Sequence, residues 1–292
     1  MAKPKPYKIA IVGIENSHAT HMIEYLNVTT QRERADVVAL IGDDDAHMAE
    51  LMELGGIAQR VDDASSLIGS VDALITTNRD GGLHAQYAIP FLDAGVPVWV
   101  DKPLARSTRD AKSIIEAAAR SGAPLTSYSP LRWVPTVDDL VRIKPELGAL
   151  QMLTVIGPAD PASEYGGIFF YGIHCADIAQ RIVPGEPTDV QVTRARDTVI
   201  IRYRCDQTDV TLQLVKPDDH RQVPFHCTLT GRHGVASTDV ALGPGYVVPG
   251  IETFLGMLDS GKPPVSYEEI LRAVSVIEAA YRARRPGSIG CG

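Results

Sequence analysis

The first 125 residues alternate short, unbroken apolar runs with stretches of helical period, and few folds accept that alternation. The runs are Lys8–Val12, Val37–Ile41, Ala73–Thr77, Val96–Val100 and Leu125–Tyr128. Between them lie a helical pattern with Met22, Tyr25 and Leu26 on one side, then His47–Leu54, His84–Ala94 and Thr108–Ala119. Gly55-Gly56, Gly95 and Ser121-Gly122 close the last three. A strand that is apolar on both sides must be covered on both faces, which is the condition of a parallel sheet between two helix layers. Right-handed crossovers then leave a doubly wound sheet as the main solution.

From about residue 150 the pattern changes. Leu150–Ile156, Val190–Arg194, Thr198–Arg204, Val210–Val215 and Phe225–Leu229 are separated by short turn signals. Val199, Ile201 and Tyr203 alternate with Ile200, Arg202 and Arg204, as in an open, mostly antiparallel sheet with one covered face. One helix, about Gly172–Val183, interrupts the strands, and another, about Tyr267–Arg284, follows them, its basic end including Arg285 favourable at a helix C-terminus. The expectation is α/β: a Rossmann doubly wound sheet over 1–125, then an α+β domain over 126–292 for substrate binding and oligomerisation.

Charge excludes some partners. With 28 Lys+Arg against 36 Asp+Glu, the net charge of −8 attracts neither a phosphate backbone nor anionic lipid. Cys175, Cys205, Cys227 and Cys291 include no C-x-x-C pair and read as reduced thiols. Lys3, Lys5 and Lys8 precede an apolar run, Ile9–Ile14, too short for a signal peptide, and no apolar stretch approaches the ~18 residues of a membrane span. A cytoplasmic protein without nucleic-acid or membrane partners is expected.

The turn after the first strand stands where a dinucleotide fold seats a pyrophosphate, but its glycine fingerprint is incomplete. Gly13 holds the first position, while Glu15 and His18 stand in the second and third, so Glu15 has to point away from a bound pyrophosphate. The helix start at Asn16, Ser17 and His18 still presents N–H donors, with Ser17 read as its cap. Asp43 follows the second strand, where an acid bonds the ribose hydroxyls of NAD and repels the extra phosphate of NADP. Asp44 and Asp45 read as a helix cap and a solvated charge. His18, His21 and His47 lack a matching third ligand, so no metal site is expected.

Asp101-Lys102-Pro103 follows the fourth strand, at the edge where open α/β sheets bind ligands. With this motif the sequence resembles the glucose–fructose oxidoreductase and inositol dehydrogenase family of nicotinamide-dependent enzymes, whose motif has Glu in place of Asp101. Further points of resemblance run along nearly the whole chain in the same order: Val71–His84 with its helix-opening histidine, Ser127–Trp133 with Arg132-Trp133, Gly166-Gly167 before Gly172-Ile173-His174 and Asp177, and Thr253–Ser266.

The resemblance implies a cofactor held by Gly13, Asn16, Ser17, His18, Asp43, Thr77, Asn78, His84, Lys102 and Arg132, namely NAD, with NADP not excluded. It also implies that Lys102 bonds the reacting oxygen and His174 moves its proton. The family's dehydrogenases place an Asp four residues before that histidine, and this chain has Phe170 there. Asp177, three residues on, shares the helical face of His174 and is the candidate to orient it. The expected activity is hydride transfer at a CH–OH or C=O carbon of a sugar, cyclitol or related polyol. Two alternatives stay open: a non-catalytic sensor or regulator that binds a dinucleotide or sugar, and nicotinamide-assisted elimination or hydrolysis of a glycoside. An apolar strand face in the second half implies a homodimer or homotetramer.

Overall fold

The computed structural model describes residues 5–283. The first half builds a six-stranded sheet from β1 (Tyr7–Val12), β2 (Ala35–Ile41), β3 (Gln59–Arg60), β4 (Ala73–Thr76), β5 (Val98–Val100) and β6 (Leu125–Thr126). All strands are parallel, in the order β3-β2-β1-β4-β5-β6. Ile9, Ile11, Ile75 and Trp99 are fully buried, as double cover requires. The crossovers carry α1 (Ser17–Ile23), α2 (Asp45–Gly55), α3 (His84–Asp93) and α4 (Thr108–Ser121). The strand order reverses between β1 and β4, so their C-terminal ends open the crevice where such sheets bind ligands.

The second sheet is mixed, ordered β12-β11-β7-β10-β9-β8, with one parallel pair, β7–β10, among antiparallel neighbours. Its strands are β7 (Leu150–Pro158), β8 (Thr188–Ala195), β9 (Thr198–Cys205), β10 (Thr208–Val215), β11 (His226–Gly231) and β12 (Gly234–Asp239). The alternation in β9 resolves with Val199, Ile201 and Tyr203 buried inward and Ile200, Arg202 and Arg204 facing out. The covering helix α6 spans Phe169–Ile182, three residues earlier than its sequence pattern suggests. Gly172 had been read as its start, yet it sits inside α6 with Leu214 so close that a Cβ would meet it at 2.9 Å.

Two further helices have no counterpart in the sequence reading, which had a single helix among the strands. These are α5 (Pro135–Ile143) and α7 (Val248–Ser260). Although it lies late in the chain, α7 packs against the first sheet. Phe254 lies 5.3 Å from the Trp99 ring, and the Tyr128 hydroxyl donates to the Gly250 carbonyl at 2.7 Å. Glu252 accepts from Tyr25 at 2.8 Å and from Arg34 at 2.5 Å, while Asp259 accepts from Tyr7 and Arg34. The last helix, α8 (Tyr267–Arg282), packs on α6 and reaches α4 through Glu278, which accepts from the backbone and hydroxyl of Thr108. Arg284, Arg285, Cys291 and Lys3, used in the sequence reading, lie outside the described residues.

Candidate active site

Asp101 ends β5 with its carboxylate wholly buried. Oδ2 accepts from His18 Nδ1 at 2.8 Å and from Asn16 at 3.3 Å, and it lies 3.4 Å from Lys102 Nζ. Burial works against this carboxylate, but His18 and Lys102 hold its pKa below the usual range. For His18, burial outweighs the attraction of Asp101 and lowers the pKa. The imidazole is therefore neutral near pH 7, with its Nδ1 proton directed at Asp101. Lys102 is 4% exposed, its Nζ 5.2 Å from the centre of the Phe170 ring. The aromatic face at the position where the resemblance implies a carboxylate thus meets the lysine as a cation–π partner.

His174 projects from α6 into the same cavity, which encloses about 150 Å³ and is also lined by Asn16, Ser17, Arg79, Tyr171, Gln222 and Tyr246. Its Nδ1 lies 2.5 Å from the Ser129 hydroxyl, which can donate to one tautomer or accept from the other. Burial first, then Lys102 and His18, lower the His174 pKa well below the ordinary value, so this imidazole too is neutral near pH 7. The buried histidines predict an acid limb of stability. His84 joins His18 and His174 in having a lowered pKa, again chiefly through burial. Above pH ~6.5 both folded and unfolded chains hold these rings neutral; below it the unfolded chain takes up protons that the folded chain refuses. Stability should be flat from pH 7 to 8 and fall below 6.5, by up to about 1.4 kcal/mol per pH unit for each ring. Asp101, whose lowered pKa favours the charged form, keeps its stabilising contribution throughout that window. Denaturant midpoints across pH 5–8 check this; a flat profile to pH 5 contradicts it.

Several sequence assignments change on inspection. The cap of α1 is Asn16, not Ser17: Asn16 accepts from His18 N at 3.2 Å and has the extended backbone of a cap. Asp177 does not touch His174. It accepts from the backbone N–H of Ser129 at 2.7 Å and from Arg132 at 2.9 Å, so it reaches His174 only by fixing the turn that carries Ser129. Arg132, read as a cofactor contact, spends its guanidinium on Asp177 and Glu269 and is 4% exposed. His84 is fully buried between the carbonyls of Pro103 and Asn78, where it joins the loops after β4 and β5. Ser129, Arg79 and Tyr246 were not singled out. Ser129 sat inside a quoted motif whose weight fell on Arg132, and the segment carrying Tyr246 gives no motif at all.

A second cavity, of about 330 Å³, lies across the C-terminal ends of β1 and β2 and is lined by Gly13, Gly42, Asp43, Asn78, Leu83 and Tyr87. Gly13 has a φ of +87°, and a Cβ there would stand 2.4 Å from the backbone N of Asn78, so only glycine fits. Thr77 donates to the Gly13 carbonyl from the facing loop. The Glu15 carboxylate turns to the loop after β4, accepting from Arg79 N at 3.0 Å and Asn78 at 3.4 Å. Of the three adjacent acids, Asp44 caps α2 and Asp45 pairs with Arg60, whereas Asp43 is exposed with no bond to a described residue. Asn78 Oδ1 and Asp101 Oδ1 are buried without partners among the described residues. The free acid, the tight glycine and these orphaned oxygens fit a dinucleotide laid from Asp43 toward Lys102. Among the described residues no three His, Cys, Asp or Glu side chains cluster as metal ligands, and no helix is long and apolar enough to cross a membrane.

Comparison with known proteins agrees with this geometry. Residues 7–129 match the model of an oxidoreductase family with an NAD-binding Rossmann fold. Over those residues the chain is similar to the glucose–fructose oxidoreductase and inositol dehydrogenase family. Among curated members of the family, inositol 2-dehydrogenase 3 of Saccharopolyspora erythraea is 29% identical over 127 residues, 43% of this chain and 36% of that protein. The chain thus matches about a third of that relative's length. Among solved structures, GenD2 from gentamicin A biosynthesis, in complex with NAD, superposes with a TM-score of 0.83 at 16% identity, covering 98% of this chain and 96% of that one. Myo-inositol 2-dehydrogenase from Lactobacillus plantarum gives 0.83 at 14% identity over 96% and 97%. At such identities these structures show a shared fold, along the second half as well.

Proposed function

We propose that the chain is an NAD-dependent oxidoreductase acting at a CH–OH or C=O carbon of a sugar, cyclitol or related polyol. The observation that carries this reading is the shared cavity of Lys102, His18 and His174 at the end of β5, beside which the turn over residues 13–15 lines a second cavity at Asp43. In this reading residues 1–125 bind the dinucleotide and 126–292 form the substrate side. Gly13, the α1 start at Asn16–His18, Asp43, Thr77 and Asn78 would hold the cofactor. A nicotinamide bound there supplies the hydride acceptor or donor.

The chain's own part is to hold oxygen and move a proton. Lys102 Nζ donates to the reacting oxygen and stabilises negative charge as the O–H proton leaves. Neutral His174, its Nδ1–H donating to the Ser129 hydroxyl, accepts that proton on Nε2, and the hydroxyl keeps the ring oriented as the imidazolium forms. Reduction runs the same steps in reverse. Tyr171, Leu131 and Phe225 line the cavity and limit its water. Nicotinamide absorbance during incubation with polyols, cyclitols and sugars tests the activity; turnover lost in Lys102 and His174 variants supports it, and NAD binding without turnover of any of them favours the alternative. That alternative, a ligand-binding sensor, draws on Phe170 in place of the carboxylate.

Asp43 sets the cofactor preference in this proposal. Titration by intrinsic fluorescence should give tighter binding of NAD than NADP, and Asp43→Ser should narrow the gap by admitting the added phosphate. Equal or tighter NADP binding by the natural chain removes Asp43 from the ribose.

We infer a homodimer or homotetramer built on the outer face of the second sheet. That face carries Met152, half exposed, and two part-buried isoleucines, Ile156 and Ile200, on either side of Gln213, and apolar positions on one face can meet their own copies about a two-fold axis. Light scattering coupled to size exclusion should report a multiple of 31.5 kDa; the monomer mass at all concentrations removes the idea. The absence of paired cysteine spacings favours a cytoplasmic setting.

A further inference from the structure

A site for neutral polyols alone has little use for an unpaired guanidinium, and the cavity at β5 has one. Arg79 follows β4 and lines that cavity, but not the cavity at Gly13 and Asp43. Its guanidinium lies 5.5 Å over the Tyr165 ring, with Nη1 3.5 Å from the Tyr165 hydroxyl. No carboxylate of a described residue lies within ion-pair distance of it. Glu15 meets only its backbone N–H, and the adjacent Asp80 is taken by Arg106 at 3.1 Å. None of the residues lining the cavity is acidic.

The charge can be counted. Lys102 is offset by Asp101 at 3.4 Å, and burial keeps both His18 and His174 neutral. Tyr246 is also neutral, its pKa pushed up to about 12 by burial. One positive charge, that of Arg79, remains. A planar guanidinium with parallel N–H groups matches a carboxylate, and a single unit charge matches it better than a phosphate of about −1.5 to −2. We propose that the substrate is a polyhydroxy acid whose carboxylate is held by Arg79 while its reacting hydroxyl lies on Lys102.

This inference rests on the oxidoreductase reading, which it narrows to acidic substrates. The experiment compares matched pairs with NAD: D-gluconate against D-glucitol, and D-glucuronate against D-glucose and its phosphate ester. The acid of each pair should have a kcat/KM about 10- to 100-fold above its neutral partner, the range of a charge-assisted hydrogen-bonded pair. Arg79→Gln should collapse that ratio toward one through KM, and Arg79→Lys should restore part of it. Neutral partners as good as the acids overturn the inference and leave the oxidoreductase reading standing, and a better phosphate ester overturns the carboxylate assignment. If Arg79→Gln weakens NAD binding while the KM for the acid holds, Arg79 serves the cofactor and the inference fails. Calorimetric titration of gluconate into NAD-saturated protein separates the remaining cases. Binding lost in Arg79→Gln without any turnover supports the carboxylate site and refutes the dehydrogenase; no binding and no turnover refute both.

Discussion

Lys102→Met should lower kcat by about 10²- to 10⁴-fold on any authentic substrate, with a much smaller change in NAD affinity. Methionine keeps the length and packing of the lysine stem while deleting the one cation among the described residues, other than a protonated His18, within reach of Asp101 Oδ2. The variant should therefore fold, and its defect should fall on the chemical step. His174→Ala is expected to show a loss of similar order that a less drastic His174→Gln does not repair, because an amide cannot take up the proton. Stopped-flow measurement of nicotinamide reduction separates chemistry from product release. Near-normal single-turnover rates in both variants would place the reaction elsewhere.

The largest effect on stability is expected at Arg132. Its guanidinium is almost wholly buried and ties three segments together: the turn before α5 that carries it, α6 through Asp177, and α8 through Glu269. Arg132→Ala leaves the Asp177 carboxylate buried beside nothing but the Ser129 N–H, and breaking a buried pair in this way costs about 3–5 kcal/mol. Arg132→Lys should recover little of it, since a single ammonium cannot bond both acids with the geometry of a planar fork. Urea unfolding of the two variants tests the estimate. A loss below about 1 kcal/mol for Arg132→Ala would mean that the triad contributes like an exposed pair. Because Asp177 and Ser129 also set the His174 ring, the surviving folded Arg132→Ala protein should show lowered kcat at an unchanged NAD affinity.

The sequence made the first sheet legible because β1, β4 and β5 are apolar on both faces and the helices after β2, β4 and β5 close on glycines, signals that survive without any knowledge of neighbours. It could not show β3, a two-residue strand of exposed Gln59 and Arg60 that exists only because β2 offers an edge. It missed α7 for a related reason. Val248, Pro249 and Gly250 look like loop residues, and their helical state depends on Tyr128 and Trp99 receiving them. At the site, Lys102 and His174 were readable from motif and order. The pairing of His18 with Asp101 was not, since a histidine in a glycine position reads as damage to a cofactor loop until the fold brings the ends of β1 and β5 together. Asp177 failed differently: helical spacing fixes which side of α6 it shares with His174, but not that Arg132 claims it first.

The docking of α7 onto the first sheet also bears on how the protein is made. All six strands of that sheet are complete once residue 126 has been synthesised, yet Glu252 and Phe254, which engage Arg34 and cover Trp99, come 126 and 128 residues later. At about 5–20 residues per second, a ribosome needs roughly 6–25 s to deliver them. For that interval the nascent sheet holds an aromatic surface with no partner, long enough for a chaperone to bind it or for a neighbouring nascent chain to stick to it. Yield in the cell should accordingly respond to elongation rate through the intervening strands, and a chain that terminates before α7 should be cleared as unfolded even though its parallel sheet is intact in sequence.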